Sequence, residues 1–211
     1  MTSTKKQKKT GNIRDKCQVK IVTAARTEFV KQGYKGATIQ AIADRAGLPK
    51  ANILYYFKSK KNIYQAVLKE TLDMWDQGIG DIEADDGPKV AIEKFIAAKV
   101  RMSFKHPEAS KIYAMEIIQG AQQLQDYART YQRQWVRKKA KLFQHWIDNG
   151  EMVNVDPVHL IFLIWSATQH YADFETQILT IINRADFEED DIKKVISFLC
   201  DIILRGCGLI K

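Results

Sequence analysis

The sequence contains few of the residues that interrupt helices or cross-link chains. It has only four prolines and eleven glycines in 211 residues, so long helices can run without interruption. Its three cysteines form neither a CxxC pair nor an even-numbered set, which argues against a disulfide framework and a structural zinc site. Its longest apolar run, at 160–165, is far shorter than the about 20 residues that a membrane helix requires. We therefore expect a helical cytoplasmic protein that does not associate with membranes.

Signatures of enzymes and metal sites are also absent from the sequence. It has no nucleophile elbow, no phosphate-binding loop and no dinucleotide-binding fingerprint. Four histidines occur, but none belongs to an HExxH motif or to a close metal-binding pair. Helix surfaces or satisfied core positions account for these histidines. We therefore expect no metal, no cofactor and no enzymatic activity.

Positive charge is concentrated in the N-terminal part of the chain. The whole sequence carries a formal charge of +8, whereas residues 1–60 carry +11 and the remainder therefore −3. The first eleven residues are basic, and because no apolar run follows them we expect no secretory signal. This distribution predicts that the N-terminal part binds a polyanion and that the rest has a different role. A solvated lysine-rich tail is the alternative explanation.

Three helices with a specific spacing are predicted in the basic part. Apolar residues at three- and four-residue steps predict a helix over 13–32, followed by two much shorter helices over 39–46 and 49–56. Thr38 is a suitable N-cap for the second helix. The two short helices are joined by only three residues, GLP. This pattern is typical of a helix-turn-helix in a three-helix bundle, whose second short helix enters the major groove of DNA.

The third predicted helix mixes aromatic and basic residues, in the stretch LPKANILYYFKSKKNIY. Ile53 and Phe57 are four residues apart, so both can face a core. Lysine and tyrosine side chains on the opposite side are common donors to DNA phosphates. A small core helix with a solvated edge is the alternative interpretation, but it leaves Lys50, Tyr55 and Tyr56 without a role.

The remainder of the chain also predicts helices and no strands. The predicted ranges are 60–79, 89–105, 107–118, 122–149, 157–182 and 188–205. We expect an all-α fold of about nine helices. Its parts are a flexible basic tail over 1–11, a helix-turn-helix DNA-binding domain over 12–60, and a helical ligand-binding and dimerisation domain over 61–211.

The last two predicted helices are apolar on more than one side. One contains the uninterrupted run LIFLIW, and the other has a seam with alternating three- and four-residue steps. Core packing explains part of this pattern, and a homodimer that forms an intermolecular four-helix bundle explains the rest. The interface residues that we expect are Leu160, Leu163, Ile192, Ile196, Leu199 and Ile203.

Several polar residues interrupt the apolar pattern of the helix at 157–182. Trp165, Thr168, Gln169, Ala172 and Asp173 share one helical face, and their polar groups are costly to bury unless they are paired. One interpretation is hydrogen bonding across the dimer interface. The other is a pocket for a flat polar ligand.

The N-terminal segment from 21 to 68 resembles the TetR family of bacterial transcriptional repressors. The resemblance rests on IVTAARTEFVKQGYKGATIQAIADRAGLPKANILYYFKSKKNIYQAVL. Two stretches of the body, HPEASKIYAMEIIQGA and DPVHLIFLIWSATQHYADFETQI, are similar to the pyrimidine-utilisation regulators of that family. This resemblance implies a regulator that senses uracil or a related pyrimidine and controls genes for its catabolism.

The resemblance also implies roles for residues at the DNA-binding end. Thr38 and Lys60 match residues that contact phosphate, and Lys50 matches a groove-facing position. Pro49 and Leu54 depart from the serine and tyrosine that are common in the family, so the operator sequence cannot be copied from relatives. The full set of expected DNA-binding residues is Thr38, Lys50, Asn52, Tyr55, Tyr56 and Lys60.

The resemblance favours the pocket interpretation for the polar face of the helix at 157–182. The expected pocket residues are Met102, Phe104, Met115, Trp165, Thr168, Gln169 and Asp173. Together these observations predict a dimeric repressor that binds double-stranded operator DNA and responds to a pyrimidine-like effector. A regulator of another planar ligand, and a DNA-binding protein with no small-molecule switch, are the alternatives.

Overall fold

The computed structural model describes residues 3–78 and 86–211, with side chains for 14–76 and 86–211. All regular structure within these ranges is helical, which confirms the all-α prediction. Of the predicted basic tail, residues 1 and 2 lie outside the described residues, as do the side chains of the other nine. The α-helices are α1 (Ser3–Gly36), α2 (Ile39–Ala46), α3 (Lys50–Phe57), α4 (Lys60–Gly78), α5 (Gly87–Lys105), α6 (Pro107–Ile118), α7 (Gln125–Tyr127), α8 (Arg133–Asp148), α9 (Pro157–Asp173), α10 (Glu175–Ile181) and α11 (Glu189–Gly206).

Two predicted helices are broken in the structure. The helix expected over 157–182 ends at Phe174, which has non-helical φ and ψ of −114° and 25° and separates α9 from α10. The helix expected over 122–149 consists of α7, a π-helical turn (Ala128–Gln132) and α8. A single non-helical residue or one wide turn shifts the apolar period only slightly, so the sequence pattern does not reveal either break.

The N-terminal bundle packs α1, α2, α3 and α4 around one core. Thr38 caps α2 by accepting a hydrogen bond on Oγ1 from the Ala41 N–H at 3.1 Å. Gly47 ends α2 with a φ of 63°, a left-handed conformation that favours glycine. The fully buried side chains of this core include Ile21, Ala25, Phe29, Ile42, Ile53, Ile63 and Val67.

The body packs α5, α8, α9 and α11 around a second core. Its fully buried side chains include Phe95, Ile96, Phe143, Ile161 and Ile164. Helix α6 contacts α1 and α4 on one side and α9 on the other, so it joins the two cores. Within the described ranges, no helix has the length and apolar character needed to cross a membrane.

Candidate functional sites

Helix α3 presents one side to the core and the other to solvent. Ile53 is fully buried in the N-terminal bundle. On the opposite side, Lys50 and Asn52 are exposed, and Tyr55 is 75% exposed. The ring of Tyr56 packs edge-on against that of Tyr55 at 5.2 Å, and it is half-buried. The lysine and tyrosine side chains of this stretch therefore lie where a flat polyanionic surface can reach them.

Lys60 links the start of α4 to the start of α2. Its Nζ donates to the carbonyl oxygens of Ala37 at 2.9 Å and Lys35 at 3.3 Å, and it lies 4.8 Å from the centre of the Tyr34 ring. These contacts fix the segment that leads into the exposed N-cap Thr38. Lys60 thus positions the N-terminus of α2, where backbone N–H groups favour an anion.

An aromatic cavity of about 340 Å³ lies in the body. This size is at the lower end of the roughly 300–1,000 Å³ that small-molecule sites span. Its walls include the indoles of Trp135 and Trp165, whose ring centres are 5.7 Å apart, and the rings of Trp75 and Tyr113, whose centres are 4.6 Å apart. The lining residues are Trp75, Asp76, Lys99, Tyr113, Tyr127, Tyr131, Gln132, Trp135, Trp165 and Gln169.

A single lysine is buried in the wall of this cavity. Lys99 is only 4% exposed, and its Nζ lies 5.0 Å from the centre of the Trp75 ring. Among the residues with described side chains, none accepts a hydrogen bond from this ammonium. Burial lowers the pKa of Lys99 to about 8, and the nearby carboxylate of Asp173 partly opposes that effect.

The structure brings two of the predicted pocket residues, Trp165 and Gln169, into the cavity. Thr168, one residue earlier than Gln169, is fully buried and donates to the Ile164 carbonyl oxygen at 2.7 Å. Asp173 accepts from Ser110 Oγ at 2.6 Å, and burial raises its pKa. These two side chains are therefore satisfied within the protein and do not line the cavity.

The other three predicted pocket residues lie elsewhere. Met102 lines a separate surface groove with Met74, Phe104 packs against Tyr171, and Met115 packs against the N-terminal core. In their place the cavity is closed by residues of α4 and of the segment from 127 to 135.

The predicted dimer residues divide into two groups. Leu160, Leu199 and Ile203 are at most 6% exposed and belong to the protomer's own core, where Ile192 and Ile196 pack against them. Leu163 is 52% exposed. The exposed apolar side chains of α9 and α11 are Phe162, Leu163, Phe198 and Ile202.

A buried hydrogen-bonded carboxylate joins α6 to α4. Glu116 is 5% exposed and accepts from Tyr64 Oη at 2.9 Å and from the Gln123 N–H at 2.7 Å. Burial and the Glu116 hydrogen bond both raise the pKa of Tyr64. One turn earlier on α6, Tyr113 lines the cavity and accepts from Gln132 Nε2 at 2.9 Å. Helix α6 therefore carries Tyr113, which lines the cavity, and Glu116, which is hydrogen-bonded to α4 of the N-terminal bundle.

Two family models match adjacent parts of the chain. Residues 21–67 match the model described as bacterial regulatory proteins, tetR family, and residues 68–210 match that of the YcdC-like protein C-terminal region. The chain belongs to the TetR family. It is 35% identical over 186 residues to the HTH-type transcriptional regulator RutR of Escherichia coli strain K12, with 88% of each chain covered. Over 54 residues, or 26% of the chain and 29% of the relative, it is 41% identical to the negative transcriptional regulator IcaR of Staphylococcus aureus strain Newman. It is therefore a helix-turn-helix transcriptional regulator rather than an enzyme.

Two solved structures share the fold of this chain. A ketosteroid transcriptional regulator of Mycobacterium tuberculosis superposes with a TM-score of 0.73 at 19% identity, covering 90% of this chain and 94% of that one. AibR, in complex with isovaleryl coenzyme A and operator DNA, superposes with a TM-score of 0.68 at 12% identity, covering 88% and 97%. At these identities the likeness concerns the fold alone.

Lys99, which was not among the predicted pocket residues, nevertheless has a signal in the sequence. Lys99 follows Ile92, Phe95 and Ile96 by seven, four and three residues, so it lies on the apolar face of α5. A lysine at such a position is uncommon because burying an ammonium is costly. The residues that α4 and the 127–135 segment contribute to the cavity of this TetR-family protein have no comparable local signal, because only the packing of α4, α6 and α8 brings them together.

Proposed function

We propose that this TetR-family protein is a dimeric repressor that releases operator DNA when a small planar pyrimidine binds in the aromatic cavity. The observation that carries the proposal is the cavity itself. It is lined by aromatic rings. One of them is Trp75 of α4, the helix that continues from the N-terminal bundle. The similarity to RutR supports regulation of this kind but leaves the effector to be established.

A uracil-like ring matches the chemistry of the cavity wall. Such a ring has two apolar faces and an edge of carbonyl acceptors and N–H donors. The indoles of Trp135 and Trp165 offer flat apolar walls. The Gln169 amide offers both a donor and an acceptor on one side chain, which complements an N–H flanked by a carbonyl.

DNA recognition in this proposal depends on α2 and α3. Lys50, Asn52, Tyr55 and Tyr56 would face the major groove, whereas Thr38 would contact a phosphate at the start of α2. Lys60 would act on the phosphate backbone mainly by holding that start in place, since its Nζ already donates to two carbonyl oxygens. Exposure of the α3 side chains supports this assignment.

Dimerisation supplies the second recognition helix. Phe162 and Leu163 of α9 and Phe198 and Ile202 of α11 are about half exposed, at 47–59%. Helices α9 and α11 would together form the apolar surface that a second copy covers as a four-helix bundle. Two copies would place two α3 helices on successive major grooves, about 34–36 Å apart.

Helix α4 would couple effector binding in the cavity to DNA binding by α3. Its C-terminal half carries Trp75 in the cavity, and its N-terminal half carries Ile63 and Val67 in the N-terminal core. An effector that binds more tightly to one position of α4 than to another shifts the spacing of the two α3 helices. The Glu116–Tyr64 hydrogen bond gives α6 a second connection to the same helix.

Calorimetry with uracil, thymine and cytosine, followed by a gel shift with the DNA upstream of the chain's own gene, tests the proposal. We expect at least one ring to bind and to release the DNA at matching concentrations. DNA binding that no ring alters would reject the pyrimidine switch while leaving the regulator assignment intact.

The Gln169→Leu substitution tests the site. It keeps the bulk of the side chain and removes its hydrogen bonds, so it should weaken ring binding by roughly 1–3 kcal/mol. Gln177→Leu, at an exposed position of α10, is the matched control. Unchanged binding in the Gln169 variant would place the effector elsewhere.

A further inference from the structure

The cavity contains an ammonium group that the protein itself leaves without an acceptor. Lys99 is 96% buried, since its exposed fraction is 4%, and its Nζ lies beside the Trp75 ring. Lys60, in a similar contact with Tyr34, donates to two carbonyl oxygens. In the part of the chain with described side chains, Lys99 has no such acceptor, and its Nζ is not among the fully buried unpaired atoms, so it faces the cavity that it lines.

Building on the proposed effector role of this cavity, we propose that Lys99 selects the chemical class of the effector. An oxygen acceptor of the ligand must face its ammonium, so a ring with an oxo group at the position that faces Lys99 is bound, and its counterpart with an amino group at that position is rejected. The reason is the donor inventory of the side chain. A lysine ammonium has three donors and no acceptor, so it can satisfy a carbonyl, enolate or carboxylate oxygen but not an amino group.

The described carboxylates near Lys99 do not accept hydrogen bonds from its ammonium, so a ligand can do so. Asp173 is the carboxylate whose charge raises the pKa of Lys99, and its Oδ1 accepts a hydrogen bond from Ser110 Oγ, 2.6 Å away. Asp76 is exposed at the cavity lining, and its pKa is raised by burial and by Asp73, with no contribution from Lys99. Neither carboxylate forms an ion pair with Lys99 among the described residues. The N–H groups of the ammonium can therefore donate to a ligand in the cavity.

The cavity's aromatic wall strengthens the selection. The rings of Trp75 and Tyr113 line the same cavity as the ammonium, and a hydrogen bond to a charged donor becomes stronger when a bound ring displaces water from such a cavity. An amino group at the same place would lose its own hydration and gain no acceptor. Polar sites of this kind discriminate strongly between analogues that differ in one hydrogen-bonding group.

Binding of two matched pairs tests the proposal: uracil against cytosine, and hypoxanthine against adenine. Each pair exchanges an oxo for an amino group on the same ring, and quenching of the cavity tryptophans reports binding. We expect the wild-type protein to prefer the oxo member of any pair that binds by about 10- to 100-fold. Lys99→Met should remove that preference by weakening the oxo member. Lys99→Gln, whose amide also accepts, should admit the amino member. Lys89→Met, an exposed site on the same helix, is the control.

The outcomes separate this inference from the proposed function. If hypoxanthine binds with a Lys99-dependent preference and uracil does not, the pyrimidine effector is rejected and the role of Lys99 stands. If uracil binds and releases DNA but Lys99→Met keeps the full oxo preference, the role of Lys99 is rejected and the regulator stands. Equal binding of oxo and amino members to the wild type, or binding of neither pair, also overturns the inference.

Discussion

The N-terminal bundle and the body differ in the hydrogen-bond partners of two lysines and in the exposure of apolar side chains. In the bundle, Thr38 caps its helix and Lys60 donates to two carbonyl oxygens, so these groups are satisfied within one chain. In the body, Lys99 has no acceptor among the described residues, and Phe198 and Ile202 are more than half exposed. Polar groups that the protein satisfies itself serve its architecture. A charged group that lines a cavity and has no acceptor among the described residues, as Lys99 does, is a candidate for contact with a bound molecule.

This difference matches the division of labour in a regulator of this family. A DNA-reading bundle needs a fixed geometry, because its helices must fit the groove whether or not an effector is present. In the proposed function the body needs a conformation that a ligand can change, and binding of the ligand or of a partner copy would stabilise it. The comparison therefore predicts opposite responses to equivalent substitutions in the two regions.

The largest effect is expected at the exposed apolar face of the body. Phe198→Glu places a charge where a second copy would bury it, so the protein should remain folded but become monomeric. Leu199→Glu, one residue on, places the same charge in the protomer's own core, where only 6% of the side chain is exposed, and should prevent folding. Light scattering and circular dichroism distinguish the two. A folded dimer of the Phe198 variant at wild-type affinity would contradict the assigned face.

The next largest effect is the difference in stability between the Lys99→Met and Lys60→Met variants. Lys99→Met removes a buried ammonium without an acceptor and should raise stability, because a pKa lowered from 10.5 to about 8 corresponds to a cost on the order of 3 kcal/mol. Lys60→Met removes two hydrogen bonds to backbone carbonyls and should lower stability by about 1–2 kcal/mol. Denaturant unfolding measures both. Destabilisation by Lys99→Met would mean that the contact with Trp75 is structural.

The effect of Lys99 on stability should depend on pH with a definite sign. Because its pKa in the folded protein lies below the unfolded value of 10.5, the unfolded chain binds the extra proton between pH 8 and 10.5. The wild-type free energy of unfolding therefore gains a contribution as pH rises through this window. The advantage of Lys99→Met should be full below about pH 8 and vanish towards pH 10.5. Other groups, including Tyr113, titrate in both proteins and cancel in the difference.

A smaller effect on stability is expected at the Tyr64–Glu116 hydrogen bond, which connects α4 to α6. Tyr64→Phe keeps the ring that packs against Phe29 but leaves the buried Glu116 with one donor fewer, at a cost of roughly 1–3 kcal/mol. Effector affinity should change little, whereas the concentration that releases DNA should change. Tyr113→Phe, which keeps the wall of the cavity, is the comparison. If the release concentration for Tyr64→Phe follows the effector affinity, this contact does not couple the two regions.

Much of the fold could be predicted from the sequence, but only part of the cavity. Short helices with strong caps, such as α2 between Thr38 and Gly47, have local signals, and their bounds agree with the structure. Gln169 could be found because it interrupts one apolar helix, and Trp165 because it lies one turn before Gln169 on the same face. Tyr131 and Trp75 could not, since they approach that helix only through the packing of other segments. Nor does periodicity distinguish Leu199, in the protomer core, from a residue in a dimer seam, because both positions repeat with the same steps.

The smallest effect compares one helix cap in each region. Thr38→Ala removes the bond that Oγ1 accepts from the Ala41 N–H and should lower stability by about 1 kcal/mol. Asp156→Ala removes the cap of α9, where the carboxylate accepts from the Val158 and His159 N–H groups at 2.8 and 2.9 Å. Both variants should lose stability, but only Thr38→Ala should weaken DNA binding, because a phosphate at the start of α2 also needs the threonine hydroxyl and an ordered helix terminus. The weakening should be similar for operator and unrelated DNA, since phosphate contacts carry no sequence information. Titration of both DNAs at two salt concentrations measures it, and equal DNA affinity of the two cap variants would show that Thr38 acts on the fold alone.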